Sequence, residues 1–167
     1  VCEQTIYYAN IIKRNVEIRP DKLSKIYGEV DSRISFTAEN LVKGETLQGN
    51  LSRISGEAVG DYQVTIGDID IKNTNYSFIL LGNESYSITK RTIYIESLEN
   101  WKFYGDKDPE PTFVLCENSS LAFDDKLYEI FSGVADREIG ETPGVYDYLK
   151  NGLILLNNNY QVEISQK

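Results

Sequence analysis

The ten residues RISGEAVGDY, at positions 53–62, decide how the fold is interpreted. Their pattern, R-x-x-G-E-x-x-G-x-Y, returns as REIGETPGVY at positions 137–146. The dipeptide Asn75-Tyr76 returns at the same offset as Asn159-Tyr160. Because self-similarity at a fixed spacing is the signature of repeat proteins, the sequence predicts two copies of one small domain.

Features upstream of this block match at smaller offsets, so the second copy has gained a few residues in its middle. Tyr27-Gly28 returns as Tyr104-Gly105, and the segment 41–47 returns as 121–127. A Lys-Arg pair at 13–14 occurs again at 90–91 and marks the seam between copies. The predicted parts are a last strand of a preceding repeat at 1–13, repeat domain 1 at 14–91 and repeat domain 2 at 92–167.

The composition excludes several classes of function. The chain has 167 residues, no His and a net charge of −9. Histidine-based catalytic triads and histidine-ligated zinc are excluded. Nucleic acid is disfavoured as a partner, since its phosphates need Lys and Arg. No apolar run approaches the roughly 20 residues of a membrane span, so membrane insertion by this segment is not expected. The only two cysteines, Cys2 and Cys116, are too few for a disulfide framework, and whether they are oxidised stays open.

Alternating apolar and polar residues predict strands in both copies. Val16 and Ile18 share a face in the first copy, as Ile93 and Ile95 do in the second. The best helix candidate is 120–131, short at most and capped by one of the serines at 119 and 120. We therefore expect a mostly β fold with little helix.

These residues resemble the YGX/YDG-type MBG repeats of bacterial adhesins and filamentous-haemagglutinin-like surface proteins. The family pattern runs K-x-Y-G-D-x-D-P, then R-x-x-G-E-x-V-G-x-Y, then N-Y. The first copy follows it from KIYGEVD at 25–31 onward, with Ser32 in place of Pro. The second keeps FYGDKDP at 103–109 but lacks the glycines of the middle section, where it has DDKL at 124–127.

The resemblance implies a tandem of two small β-grasp-like domains, with an Ig-like sandwich as the alternative fold. It implies a location outside the cell, on a bacterial surface or secreted, and a non-catalytic stalk or spacer that presents a binding region of an adhesin. Neighbouring repeats of the same polypeptide would be its partners. The alternative function is that the repeats themselves bind host glycan or glycoprotein. The family pattern offers no catalytic, cofactor or metal residues, because its motif positions look like turn and core positions. The turn glycines Gly28, Gly105, Gly60 and Gly144 are expected to include at least two with positive φ.

An aromatic cluster opens the second copy, at Trp101, Phe103 and Tyr104. On a strand, Trp101 and Phe103 would share one face and Tyr104 would lie on the other. Trp101 and Phe103 are therefore the candidate ligand contacts, for a sugar or a protein. The alternative places Phe103 or Tyr104 in the core and Trp101 at the seam between domains.

Overall fold

The computed structural model describes residues 8–70, 73–82 and 85–165. Within these ranges the secondary structure is almost entirely strand, and the prediction of a mostly β fold with little helix is confirmed. The elements are β1 (Arg14–Pro20), β2 (Leu23–Ile26), β3 (Phe36–Glu39), β4 (Ser52–Arg53), β5 (Gly60–Thr65), β6 (Tyr76–Leu80), β7 (Ser85–Thr89), β8 (Arg91–Ser97), β9 (Phe113–Leu115), α1 (Leu127–Ile130), β10 (Phe131–Gly133), β11 (Asp136–Arg137), β12 (Tyr148–Leu149), β13 (Leu153–Leu155) and β14 (Tyr160–Ile164). The β-grasp or Ig-like topology of each copy stays a prediction.

The chain divides into two compact units. Among the described residues, unit 1 contains the chain up to Leu23, then Ser32–Ser55 and Asp61–Tyr86. Unit 2 contains Ser24–Asp31, Gly56–Gly60 and the chain from Ser87 onward. Three short segments of the first sequence repeat, 24–31, 56–60 and 87–91, therefore belong to unit 2. The domain bounds 14–91 and 92–167 stay a prediction, because compactness does not reveal which parts fold independently.

The predicted last strand of a preceding repeat lies at the beginning of the chain. Residues 1–7 of this segment fall outside the described residues. Residues 8–13 form no strand, and β1 begins at Arg14. The assignment of 1–13 to a preceding repeat thus stays a prediction.

A three-stranded sheet forms the centre of unit 1, with β1 between β3 and β6. Strand β1 is antiparallel to β3 and parallel to β6, so that Ile18 pairs with both Ala38 and Leu80. Val16 and Ile18 are fully buried, as their alternation with polar residues predicts. Each such side chain contributes about 1.5–3 kcal/mol through burial.

Unit 2 contains the same sheet, built from the equivalent residues. Strand β8 lies between β9 and β14, antiparallel to the first and parallel to the second. Ile95 pairs with both Leu115 and Ile164, and Ile93 is fully buried beside it. These pairs match those of Ile18 at the same offsets that relate the two copies in the sequence. The internal repeat is therefore reproduced in the strand order and the register of these two three-stranded sheets.

The R-x-x-G-E block connects two short antiparallel strands in both copies. Ser52 pairs with Thr65 between β4 and β5, and the equivalent residues Asp136 and Leu149 pair between β11 and β12. Strands β10 and β13 form a further pair in unit 2. Each copy thus positions its motif arginine at the end of a short strand.

The helix prediction was right about length and wrong about the cap. The helix α1 has four residues, and at its start the Lys126 N–H donates to the Glu129 carboxylate at 3.0 Å. Ser119 does not cap it, because its hydroxyl accepts a hydrogen bond from the Tyr94 N–H at 2.8 Å. Ser120 is likewise engaged elsewhere, by the guanidinium of Arg91.

Candidate functional site

A buried lysine holds the Tyr-Gly turn of the first repeat. The Nζ atom of Lys25 lies 2.6 Å from a carboxylate oxygen of Asp31 and 2.5 Å from one of Glu57. Asp31 lies just after the turn. Glu57 is the glutamate of the R-x-x-G-E block and is 32 residues from Lys25 in sequence. One ammonium group within unit 2 therefore joins two separate parts of the repeat motif.

In the second repeat the equivalent residues form the same cluster, together with Arg137. Lys102 Nζ lies 2.6 Å from Asp108 and 2.8 Å from Glu141. The guanidinium of Arg137 contacts the same two carboxylates, with Nε 3.0 Å from Asp108 and a terminal nitrogen 2.6 Å from Glu141. Two cations and two carboxylates thus form a closed network, in which each cation contacts both acids.

The charges in these clusters shift one another's pKa. Burial lowers the pKa of Lys25, but hydrogen bonds to Asp31 and Glu57 outweigh it, so the pKa is raised. In the second cluster the hydrogen bond from Arg137, followed by that from Lys102, lowers the pKa of Asp108. Both Lys25 and Asp108 are held in their charged forms, which suits ion pairing and not proton transfer at neutral pH.

The motif arginine of each copy also stacks on the motif tyrosine that follows it. The guanidinium carbon of Arg53 lies 4.9 Å from the ring centroid of Tyr62, and that of Arg137 lies 5.1 Å from the ring of Tyr146. Such cation–π contacts are worth about 0.5–1 kcal/mol at exposed positions. The R and Y of the block therefore contact each other across its turn.

The hydroxyl of Tyr160 forms hydrogen bonds to the loop before α1 in the second repeat. The hydroxyl of its equivalent, Tyr76, binds the corresponding loop of the first repeat. Tyr160 is fully buried, and its hydroxyl accepts a hydrogen bond from the Ala122 N–H at 2.8 Å and donates to Asp125 at 2.7 Å. Burial and the Asp125 carboxylate raise the pKa of Tyr160. In unit 1, Tyr76 accepts from the Val42 N–H at 3.2 Å and donates to Glu45.

Within unit 2, the Tyr-Gly turn of the first repeat packs against this hydroxyl site of the second. Tyr27 donates a hydrogen bond to Asp125 at 3.1 Å, and its ring meets the rings of Phe123 and Tyr160 edge-on, with centroids 5.4 Å apart in both cases. Arg91 Nε donates to the Tyr27 carbonyl at 2.8 Å. Tyr27 of the first repeat is therefore anchored by Phe123, Asp125 and Tyr160 of the second.

Glycine is required at the next position of the first repeat. Gly28 has a φ of 84°, which is unfavourable for residues with a Cβ, and an added Cβ would lie 2.2 Å from the Cβ of Ala122. Gly105 has the same conformation, with a φ of 89°. The prediction that at least two of the four turn glycines have positive φ is confirmed by these two residues.

The candidate ligand contacts Trp101 and Phe103 lie together on an exposed, non-strand segment. Their ring centroids are 5.4 Å apart at 76°, and the side chains are 74% and 71% exposed. Tyr104 is exposed as well, so neither Phe103 nor Tyr104 fills the core. The expectation that a strand places Trp101 and Phe103 on one face was wrong, because residues 101–103 belong to no strand. Their role as ligand contacts stays a prediction.

Comparison with known families identifies the first repeat. The family model of the MBG domain (YGX type) matches residues 16–89. Residues 16–89, which are less than half of the chain, thus resemble an MBG domain of the YGX type. No curated protein and no solved structure shows significant similarity to the chain. The second copy, which the match does not cover, shares its sheet register and its side-chain clusters with residues 16–89.

Small cavities lie in both units of the described chain. In residues 8–70, 73–82 and 85–165 no group of three or more His, Cys, Asp or Glu is arranged to hold a metal ion. A cavity of about 240 Å³ lies beside Tyr160 in unit 2, and one of about 150 Å³ lies beside Tyr76 in unit 1. Both are smaller than typical ligand pockets of about 300–1,000 Å³. No helix in these ranges is long and apolar enough to cross a membrane.

Sequence reasoning missed the ion clusters and the hydroxyl sites of the two repeats. A signal for the first was present, since Lys25 precedes Asp31 by the same interval that separates Lys102 from Asp108. What the sequence alone does not reveal is the third partner, because Glu57 approaches Lys25 only through the fold.

Proposed function

We propose that this chain is a non-catalytic tandem repeat segment of a bacterial surface adhesin, in which it acts as a stalk or spacer that presents a binding region. The observation that carries the proposal is the use of the motif side chains. Lys25, Asp31 and Glu57 of the first copy bind one another, as Lys102, Asp108 and Glu141 do in the second. Catalytic groups converge instead on a substrate position in a cleft.

The proposed location is outside the cell, on the bacterial surface or secreted. The MBG match of residues 16–89 supports it, because MBG domains occur in surface proteins. The net charge of −9 supports it less strongly, since an acidic surface keeps an exposed protein soluble but is common elsewhere.

Surface labelling tests the proposal. Antibodies raised against the purified chain should label intact cells of the source bacterium, or its culture medium if the protein is secreted. Treatment of intact cells with a protease should remove a cell-bound label. Labelling that appears only after the cells are permeabilised would contradict both the location and the stalk role.

A second function is favoured by one observation, the exposed pair Trp101 and Phe103. Aromatic rings accessible on a surface can stack on sugars or anchor a protein partner. If the repeats themselves bind host glycan or glycoprotein, the chain should bind on a glycan array and Trp101→Ala should abolish the signal. Tyr128→Ala, which removes another exposed aromatic ring, is the matched control and should leave binding unchanged.

A further inference from the structure

The Tyr-Gly turn is buried in the first repeat and exposed in the second. Tyr27 is 7% exposed, whereas its equivalent Tyr104 is 79% exposed. A Cβ added at Gly28 would collide with Ala122, whereas one added at Gly105 would have nothing within 4 Å. The backbone conformation of the two turns is nevertheless the same, with φ of 84° and 89°.

The surface against which Tyr27 packs has an equivalent in the first repeat, and that equivalent surface is exposed. The residues that surround Tyr27 are buried or half-buried: Ala122 and Asn159 of the second repeat and Arg91 at the seam. The equivalent residues in the first repeat are all exposed: Val42, Arg14 and Asn75. The exposed fraction differs widely between the equivalent residues Ala122 and Val42, at 3% and 46%.

The polar partner of the turn is repeated too. Asp125 accepts hydrogen bonds from both Tyr27 and Tyr160. Its equivalent Glu45 accepts one from Tyr76. Because a carboxylate offers about four acceptor positions, Glu45 can receive a second phenol in the way that Asp125 does.

We propose that the Tyr104-Gly105 turn docks on the surface around Val42, Glu45 and Tyr76 of a second copy of this chain. The contact would repeat the one that Tyr27-Gly28 makes with the second repeat in unit 2. Each chain then has one turn to donate and one surface to receive it, so the association is head-to-tail and open-ended. The inference deepens the proposed function and rests on it, since docked copies would lengthen a spacer.

Two substitutions make this docking weaker than the contact inside unit 2. Phe123, whose ring packs against Tyr27, is replaced by Lys43 on the proposed receiving surface. Val59, whose N–H donates to Asn159 at 2.8 Å, is replaced in the donating repeat by Pro143, which has no N–H. We therefore expect a dissociation constant of about 0.1–1 mM, typical of small transient interfaces.

Ionic strength should affect the association in a defined direction. Two chains that each carry a net charge of −9 repel one another. Added salt screens this repulsion, so association should be stronger at about 0.5 M salt than at about 0.05 M. An interface dominated by opposite charges would respond in the opposite way.

Complementary variants of the full chain test the proposal by sedimentation equilibrium. Tyr104→Ala removes the donor and leaves the receiving surface intact. Val42→Arg blocks the receiving surface at an exposed position and leaves the donor intact. Wild type should form chains of increasing length with concentration, whereas each variant alone should associate about tenfold more weakly or not at all. An equimolar mixture of the two variants should form dimers and stop there.

Controls make the outcome decisive. Tyr128→Ala, which removes an exposed ring outside the turn, should associate as wild type does, and Arg14→Ala replaces Val42→Arg if that variant melts early. Wild type that stays monomeric up to about 1 mM, or Tyr104→Ala that associates like wild type, overturns the docking. A monomeric chain whose Tyr104 region binds a glycan instead also overturns it. Surface labelling of cells is independent of these results, so failure of the docking and failure of the stalk proposal are distinguishable.

Discussion

The Tyr-Gly turns of the two repeats have the same backbone and opposite surroundings. Gly28 and Gly105 adopt φ of 84° and 89°, and each turn is held by a lysine that binds two acids. Yet Tyr27 is buried within unit 2 and Tyr104 is exposed. Local sequence therefore sets the conformation of the turn, whereas only a neighbouring repeat determines whether the turn is buried.

The largest expected effect concerns the central sheets, where the repeats should not differ. Ile18→Ala and Ile95→Ala each remove a fully buried side chain at an equivalent position, and each should cost about 2–5 kcal/mol of unfolding free energy. Chemical denaturation combined with residue-resolved hydrogen exchange measures the loss and where it falls. The predicted domains 14–91 and 92–167 require each loss to stay within its own copy. Equal loss of protection in both copies would show one cooperative core and refute those bounds.

The matched glycine pair should separate the two turns most clearly. Gly28→Ala combines an unfavourable φ with a 2.2 Å approach to Ala122, so we expect a loss of about 2–4 kcal/mol. Gly105→Ala has the unfavourable φ alone and should cost about 1 kcal/mol. Thermal and denaturant unfolding measure both variants. Equal losses would mean that contact with the second repeat does not constrain the first turn.

Removal of the hydroxyl should cost more unfolding free energy at Tyr160 than at Tyr76, and the difference should be smaller than for the glycines. Tyr160→Phe leaves the N–H of buried Ala122 without its acceptor, which should cost about 1–3 kcal/mol. Tyr76→Phe frees the N–H of Val42, which is half exposed and can bind water, so about 0.5–1 kcal/mol is expected. Denaturant unfolding of the two variants tests this order. A larger loss from Tyr76→Phe would contradict the argument from burial.

The elements that sequence predicted are those encoded within a few residues. Alternation placed Val16 and Ile18 in the core, and the position of Gly28 and Gly105 after a tyrosine predicted positive φ. The recurrence of the motif block at a constant offset predicted equivalent sheets. Each of these signals is local or is a comparison of the chain with itself.

The elements that sequence missed depend on residues far apart along the chain. Asp125 receives Tyr27 from 98 residues away and Tyr160 from 35 residues away, and no local pattern marks it as their common acceptor. The aromatic segment at Trp101 was misread as strand, since its composition fits one, but composition does not provide a pairing partner. The same composition does not predict whether the rings of Trp101 and Phe103 bind a ligand.

The smallest expected effect is a loss of stability in acid that depends on the second ion cluster. The pKa of Asp108 is lowered by its hydrogen bond with Arg137 and, to a smaller extent, by that with Lys102. The pKa of Glu141 is also lowered, and here the hydrogen bond with Lys102 has a larger effect than that with Arg137. Both folded pKa values lie below unfolded values of about 3.9 and 4.3. The cluster therefore favours folding above those unfolded values, and its contribution is lost as pH falls through the folded ones.

Melting temperature measured from pH 7 to pH 2 checks this sign. Asp108→Asn should lower the melting temperature slightly at pH 7 and flatten the acid limb of the curve, because the substituted residue no longer binds a proton on unfolding. Glu99→Gln removes an exposed carboxylate outside the cluster and should keep the limb of the wild type. The effect is small because the carboxylates are largely exposed and solvent screens their ion pairs. Identical limbs for wild type and Asp108→Asn would mean that the network is equally formed in the unfolded chain or absent in solution, and its role in holding the turn would then be lost.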